Sequence, residues 1–301
     1  MSDRFEAMLQ QARSAFADGG LREAVDLFAA AEAWAREHGT EDQVDRAFCN
    51  RCAVLIELEE GREQIPHLKR LLLRSRDPMN RYLASYYTAE AYRVDEDWTR
   101  ALSYARRAHD LAEELGEATV QAASANQRGT IALRSSEFSE AEAAFRAALG
   151  CCGGDGDPDQ RLVAAQVTDN LGYVRMCQGD LAQGLELCEE ARGAMSELGA
   201  QHFLYETLQD LCYGYILDDQ LERAEDCGRQ ALELAETFGD ELIAKNCLFL
   251  LSEIAVRRGD MFGARRFLRE LIAHYPEVGV SDEIVEVFLA TDLTSVVNLR
   301  G

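Results

Sequence analysis

The stretch NLGYVRMCQGDLAQGLELCEEA, residues 170–191, places one polar turn between two segments with an apolar pattern. On both sides of the turn at Gly179 and Asp180, apolar or small residues recur at intervals of three and four, the period of an α-helix. Gly172 stands before the turn and Gly184 after it. Two helices joined by a short turn cross closely, and a large side chain at the crossing would hold them apart. The stretch therefore predicts an antiparallel helix pair.

The second half of this pattern recurs along the chain. A polar turn, a large apolar residue and, three positions later, a small residue occur together repeatedly. The small residues are Ala24, Ala101, Ala141, Gly184, Ala224 and Ala264. From Ala101 onward they are spaced by 40, 43, 40 and 40 residues, and the wider gap before Ala101 leaves room for one degraded unit around Pro66. Such a period indicates helix pairs that stack to bury their apolar faces.

This motif resembles the tetratricopeptide repeat (TPR) family, in a long-helix form of about 40 residues. Residues 170–191 supply, in that family's order, Leu171, Gly172, Gly179, Asp180, Leu181 and Ala191. The last unit supplies Leu251, Ala255, Gly259, Asp260, Ala264 and Pro276. The usual glycine of the first helix is replaced at Ala12, Val54, Ala89, Cys212 and Ser252. The resemblance implies an all-α, right-handed superhelical α-solenoid of about seven TPR-like helix pairs with a C-terminal capping helix.

We expect the solenoid to cover residues 1–276, in approximate units 3–40, 41–76, 77–116, 117–156, 157–199, 200–239 and 240–276. Residues 277–301 are predicted to form a capping helix and a tail. A capping signal at Ser281 precedes an apolar face of Ile284, Val285, Phe288 and Leu289, which is typical of a helix that covers a last repeat. The tail sequence LTSVVNL favours a strand and leaves self-association open.

Composition narrows the classes of function. Acidic residues outnumber basic ones by 54 to 31 and the net charge is −23, so nucleic acid and anionic membranes would be repelled. The chain lacks an apolar run of transmembrane length and an apolar signal segment, which favours a cytoplasmic protein. Nine cysteines in such a compartment are expected to be free thiols. No DNA-binding head is expected, because the repeats begin close to Met1.

The stretch GCCGGDGDPDQ, residues 150–160, raises two chemical alternatives. Its aspartates could bind calcium, but an EF-hand loop needs a glutamate at the twelfth position, where Gln166 stands. Its cysteines, Cys151 and Cys152, could form a vicinal disulfide or react with oxidants. The stretch is more typical of a helix end with reduced thiols, followed by an Asp-Pro helix start.

Other motifs of catalysis or metal binding are weak. Cys49 and Cys52 have the spacing of metal ligands but lack a second ligand pair, so we expect them to pack in a helix. No nucleophile–base arrangement, phosphate loop or zinc-protease motif occurs. The sequence therefore predicts no catalysis, no metal and no cofactor. A cysteine-based metal or redox protein is the alternative from another class.

In the TPR family, the first helix of each unit lines a concave groove. Carried onto this sequence, the resemblance implies a partner-binding groove of Arg51, Tyr86, Arg93, Asn126, Arg134, Asn170, Tyr173, Tyr213, Phe249 and Arg257. Asparagine can donate to and accept from a peptide backbone, tyrosine gives contact area, and arginine can hold a carboxylate. The tyrosine-rich run over residues 81–98 fits either core packing or an aromatic patch on this groove.

These side chains predict a protein or peptide partner that carries an acidic group, and therefore a scaffold or adaptor. A peptide-responsive regulatory subunit or sensor that controls a bacterial effector is the alternative within the same class.

Overall fold

The computed structural model describes residues 2–17, 20–151, 158–276 and 281–290. All regular structure in this part of the chain is helical, which confirms the predicted fold class. In chain order the α-helices are α1 (Ser2–Ala17), α2 (Leu21–His38), α3 (Glu41–Glu57), α4 (Ile65–Arg74), α5 (Pro78–Val94), α6 (Trp98–Leu115), α7 (Ala118–Arg134), α8 (Phe138–Cys151), α9 (Pro158–Cys177), α10 (Leu181–Glu197), α11 (Gln201–Leu217), α12 (Leu221–Phe238), α13 (Glu241–Arg257), α14 (Met261–Ala273) and α15 (Asp282–Leu289). A short 3-10 helix, Gly61–Gln64, precedes α4.

The chain divides into two compact units, Met1–Ser135 with α1 to α7 and Ser136–Gly301 with α8 to α15. In the N-terminal unit α1 packs on α2, α2 on α3, α4 on α5, α5 on α6 and α6 on α7, while α3 packs directly on α5. In the C-terminal unit successive helices pack from α8 to α15, and α11 also packs on α9 and α13. The first helices of neighbouring pairs therefore lie side by side within each unit.

The crossing of α9 and α10 explains the glycines of the repeat. A Cβ atom on Gly172 would lie 2.8 Å from the carbonyl oxygen of Gly184 and 2.7 Å from the sulfur of Cys188. A Cβ on Gly184 would lie 2.8 Å from the carbonyl oxygen of Gly172. The two backbones therefore touch, and neither position has room for a side chain. The corresponding residues of other second helices, Ala24, Ala101, Ala141, Ala224 and Ala264, are fully buried.

Helix ends follow the predicted capping signals with one exception. Asp77 caps α5 by accepting the backbone N–H of Asn80 at 2.7 Å, with Pro78 in the first turn. Three glycines that follow second helices, Gly116, Gly199 and Gly239, are left-handed, with φ of 70°, 67° and 75°. Gly39 instead has φ −110° and is extended. The reason is that α3 begins at once, behind a capping box formed by Thr40 and Gln43.

The turns inside six of the pairs, from the α3–α4 pair onward, give the register of the repeat. Left-handed residues occupy these turns at Glu59, Glu96, Ser136, Gly179, Asp219 and Gly259. Seven positions before each of them stands a buried, small first-helix residue: Cys52, Ala89, Gly129, Gly172, Cys212 and Ser252. The second pair thus differs from the prediction, which assigned Val54 to this position. Val54 packs with residues of α1 and α2, whereas Cys52 packs with residues of α4 and α5.

The predicted capping helix is present as α15, which packs on α14. Its start is capped by Ser281, Val285 is buried, and Arg265 of α14 donates to Glu286 at 2.8 Å. Two predictions lie outside the described residues: a Cys151–Cys152 disulfide, since Cys152 is not described, and self-association through the tail over residues 291–301.

Two glycines of α10 provide a matched test of the helix crossing. Gly184→Ala should lower the free energy of unfolding by about 1–3 kcal/mol, because the new methyl group overlaps the α9 backbone. Gly193→Ala should raise it by up to about 1 kcal/mol, because Gly193 is exposed with open space around it and alanine favours a helix. Urea unfolding followed by circular dichroism measures both changes. Equal changes in the two variants would contradict the close crossing.

Candidate functional site

A polar network joins the first helices α5 and α7 in the N-terminal unit. The side-chain NH2 group of Gln127 donates to the carbonyl oxygen of Tyr86 at 3.0 Å and to Glu90 Oε1 at 2.8 Å. The other carboxylate oxygen of Glu90 accepts from Arg93 Nε at 2.6 Å. The structure thus links Tyr86 and Arg93, two of the predicted groove residues, through the side chains of Glu90 and Gln127.

Three amide side chains on the first helices α3 and α7 have buried polar atoms without a hydrogen-bond partner. They are Nδ2 of Asn50 on α3, and Oδ1 of Asn126 and Oε1 of Gln127 on α7; we call these residues the amide cluster. Leaving such an atom unbonded costs about 1–3 kcal/mol, so native proteins rarely do so without a reason. The cluster offers one donor and two acceptors, which are the groups that a peptide backbone complements.

Asn126 was among the predicted groove residues, whereas Asn50 and Gln127 were not. Both missed residues lie two positions before the buried small residue of their helix, Cys52 in α3 and Gly129 in α7. Counting back two positions from the buried small residue of each first helix would therefore have identified both residues. The register was hidden in the second pair, where Val54 was taken as the crossing residue.

The same register explains why Arg51 lies apart from the other groove residues. Arg51 immediately precedes Cys52, and its side chain reaches α2 instead of α5. Its Nη2 atom lies 3.1 Å from Oε2 of the buried Glu32, and its guanidinium carbon lies 5.7 Å from the ring centroid of Phe48.

The C-terminal unit holds the other five predicted residues on α9, α11 and α13. The rings of Tyr173 and Tyr213 lie 6.1 Å apart, and their exposed fractions are 0% and 7%. Their ring surfaces mainly pack α9 against α11 and are not accessible to a partner. Asn170 on α9 and Phe249 on α13 are half-buried. Arg257 donates to the carbonyl oxygen of Ile216 at 2.7 Å.

The predicted groove arginines are engaged by groups of the chain itself. Arg93 is held by Glu90, and Arg257 Nε donates to Glu253 at 2.7 Å. Arg134 is half-buried in the last turn of α7. A carboxylate on a ligand would therefore compete with internal carboxylates for at least two of these guanidinium groups.

The tyrosine-rich run contributes first to the core. Tyr82 and Tyr92 are buried, and the ring of Tyr86 contacts those of Tyr82 and Tyr87 at centroid distances of 5.7 and 5.5 Å. Burial, with the nearby charge of Glu90, raises the pKa of Tyr86 well above its ordinary value. Of the two alternatives for this run, core packing therefore describes Tyr82 and Tyr92, while Tyr86 and Tyr87 stay half-buried.

The cysteines with metal-like spacing face the core. Cys49 and Cys52 are fully buried in a cluster with Leu68 and Leu71. Burial raises the pKa of Cys52 to about 12 and that of Cys49 well above its ordinary value. Because zinc binds the thiolate form, these surroundings disfavour coordination.

One group of described residues has the proximity of metal ligands. The carboxylates of Asp169 and Asp210 and the thiol of Cys188 lie within 4.8 Å of one another, and all three residues are buried. The Cys188 thiol contacts the carbonyl oxygen of Asp169 at 3.8 Å, and the Gln209 amide contacts Asp210 at 3.4 Å. The sequence analysis missed this group because its members come from α9, α10 and α11. It is not the tetrahedral Cys/His set of a structural zinc site.

Across the described residues, none of the helices combines the length and the apolar character that a transmembrane span requires.

No protein-family model and no curated protein matches the sequence. Solved structures do match the fold. The apo form of RapI superposes with a TM-score of 0.70 at 12% identity, covering 94% of this chain and 79% of RapI. A signal-transduction ATPase with a tetratricopeptide repeat sensor, from Pyrococcus horikoshii, gives 0.68 at 16% identity, covering 96% of this chain and 45% of the ATPase. A Rap protein complexed with competence and sporulation factor gives 0.56 at 12% identity, covering 92% and 99%. The chain therefore has the helical-repeat fold of TPR and Rap proteins.

Burial of the thiols predicts a pattern of alkylation in the native protein. At pH 8, iodoacetamide should label the half-buried Cys151 well before Cys52 and Cys227, because burial raises the pKa of those two to about 12 and about 11. Peptide mass mapping before and after urea unfolding measures this. Rapid native labelling of Cys52, at the rate of the unfolded chain, would contradict the placement of its thiol in the core.

Proposed function

We propose that this chain is a protein- or peptide-binding scaffold or adaptor that uses its first helices and performs no catalysis of its own. The amide cluster carries the proposal. Nδ2 of Asn50, Oδ1 of Asn126 and Oε1 of Gln127 are buried and unbonded. An extended peptide backbone supplies a carbonyl oxygen for the donor and N–H groups for the acceptors. Binding such a segment would recover the free energy lost by leaving these atoms without partners.

The surroundings of the amide cluster suit a peptide better than a compact ligand. Its residues come from α3 and α7, and α5 contributes Tyr86 and Tyr87 as half-buried aromatic area. Aromatic side chains provide contact area at a small cost in conformational entropy. An extended segment that crosses these three helices would contact both the amides and the aromatic rings.

The partner segment carries an acidic group in this proposal. Arg93 is one-third exposed and bonded to Glu90, so a ligand carboxylate would share or displace an existing ion pair. This competition limits the gain to about 1–3 kcal/mol for a charge-assisted contact. The acidic group therefore makes the protein prefer acidic partners over neutral ones. The amide cluster binds the peptide backbone of either kind.

A regulatory subunit or sensor is the second candidate. It is supported by the likeness to a Rap protein complexed with competence and sporulation factor and to the sensor-bearing ATPase. A scaffold needs only to hold its partner, whereas a sensor must change a second protein's activity when its peptide binds. Adding the selected peptide to a reconstituted effector complex and measuring that activity separates the two roles.

Peptides selected from a random display library should depend on the amide cluster. Asn50→Ala and Asn126→Ala should each weaken binding of a selected peptide by about tenfold, because each removes a hydrogen-bonding group in a buried site. Gln230→Ala is the control, since it removes an exposed amide from the second helix α12. Calorimetric titration measures the dissociation constants. If Gln230→Ala abolishes binding while both asparagine variants bind as the parent does, the first helices are not the binding face.

The acidic preference has a separate test. Arg93→Ala should weaken binding of an acidic selected peptide, and the loss should shrink as the salt concentration rises, because Arg93 is partly exposed and screened. A version of the same peptide with its acidic residues changed to amides is the control and should be insensitive to Arg93→Ala. If Arg93→Ala weakens binding of both peptides equally at every salt concentration, the partner's acidic group does not contact Arg93.

A further inference from the structure

A cavity of about 450 Å³ opens among α2, α3 and α4 in the N-terminal unit. Its polar wall carries Arg36, Arg51, His67, Arg70 and Arg74. Its apolar wall carries Val44, Phe48 and Leu71. The volume falls within the range of about 300–1,000 Å³ that is typical of small-molecule sites. Four arginines around one cavity are unusual in a chain with 54 acidic and 31 basic residues.

Two buried carboxylates account for three of these arginines. Glu32 and Asp45 are 2% and 3% exposed. Glu32 pairs with Arg36 and Arg51, and Asp45 pairs with Arg74. A buried carboxylate is costly unless it is paired, so these contacts are needed to fold the unit.

The remaining cationic groups exceed what the two carboxylates need. Within the described residues Arg70 has no carboxylate partner, and its Nε atom donates only to the carbonyl oxygen of Pro66, at 3.3 Å. Nε of Arg51 is buried without any hydrogen-bond partner. His67 lines the same wall, with its ring 6.2 Å from that of Phe48. The Arg51 guanidinium and the unpaired positive charge of Arg70 therefore line a cavity that also has an apolar side.

We propose that this cavity binds a small organic anion in which a carboxylate or phosphate group is joined to an apolar part. The oxyanion accepts from the guanidinium groups of Arg70 and Arg51, which line the cavity, and the apolar part lies against Val44, Phe48 and Leu71. Arginine suits this role because its donors match the geometry of both oxyanions. This site is separate from the amide cluster, so either proposal can fail without the other.

The probes are phenyl phosphate, inorganic phosphate, phenylacetate and acetate, each titrated calorimetrically into the full chain at constant ionic strength. We expect the phenyl compounds to bind more tightly than inorganic phosphate and acetate, because only they reach the apolar wall. The tighter of phenyl phosphate and phenylacetate identifies the preferred oxyanion.

Arg70→Gln should weaken binding of the better phenyl compound by roughly tenfold, through loss of a charge-assisted contact. Its unfolding transition should match the parent's, because the Arg70 side chain makes only a local bond within α4. Arg107→Gln is the control: it removes one exposed positive charge from α6, away from the cavity, and should leave binding unchanged.

Equal weakening by Arg70→Gln and Arg107→Gln would show attraction to overall charge and would overturn the proposal. So would unchanged binding to Arg70→Gln, or the absence of binding by all four probes at millimolar concentration.

Discussion

The structure depends on close crossings within the helix pairs α1–α2, α5–α6, α9–α10, α11–α12 and α13–α14. At α9 and α10 the backbones meet at Gly172 and Gly184, where the positions of the carbonyl oxygens exclude even a methyl group. Alanine takes this position in α2, α6, α8, α12 and α14 and is fully buried in each. A close crossing aligns the apolar stripes of both helices toward the neighbouring pair, so stacking follows from it. It also fixes the rotation of each first helix, and therefore which side chains can meet a partner.

Polar groups inside the N-terminal unit show two different solutions to burial. Glu32 and Asp45 are matched by arginines from neighbouring helices, and Glu90 by Arg93 and Gln127. The amides of Asn50 and Asn126 keep unbonded atoms. Buried charges must be paired for the chain to fold. A buried amide without a hydrogen-bond partner lowers the stability of the ligand-free protein by only about 1–3 kcal/mol, and a ligand can supply the missing bond. This difference separates the residues that stabilise the fold from those proposed to bind.

The sequence predicted the helix pairs and the capping helix α15, because each depends on local periodicity or on a cap within one turn. The register predicted for the second pair was wrong because Gln64, in the 3-10 helix before the short α4, stands where other second helices have alanine or glycine. Val54 and Cys52 could therefore not be distinguished from the sequence. The burial of Tyr173 and the cavity around Arg51 depend on side chains from neighbouring helices. Sequence spacing within one helix does not contain that information.

We propose that the helix crossings set the rotation of the first helices and thereby place the backbone-binding amides of Asn50 and Asn126. Nuclear magnetic resonance of the side-chain amides, with a selected peptide added, tests this proposal most directly. The account predicts that the NH2 signals of Asn50 and Asn126 shift on binding, while that of the exposed Gln230 stays in place. Unchanged signals from both asparagines, together with shifts confined to the second helices, would contradict it.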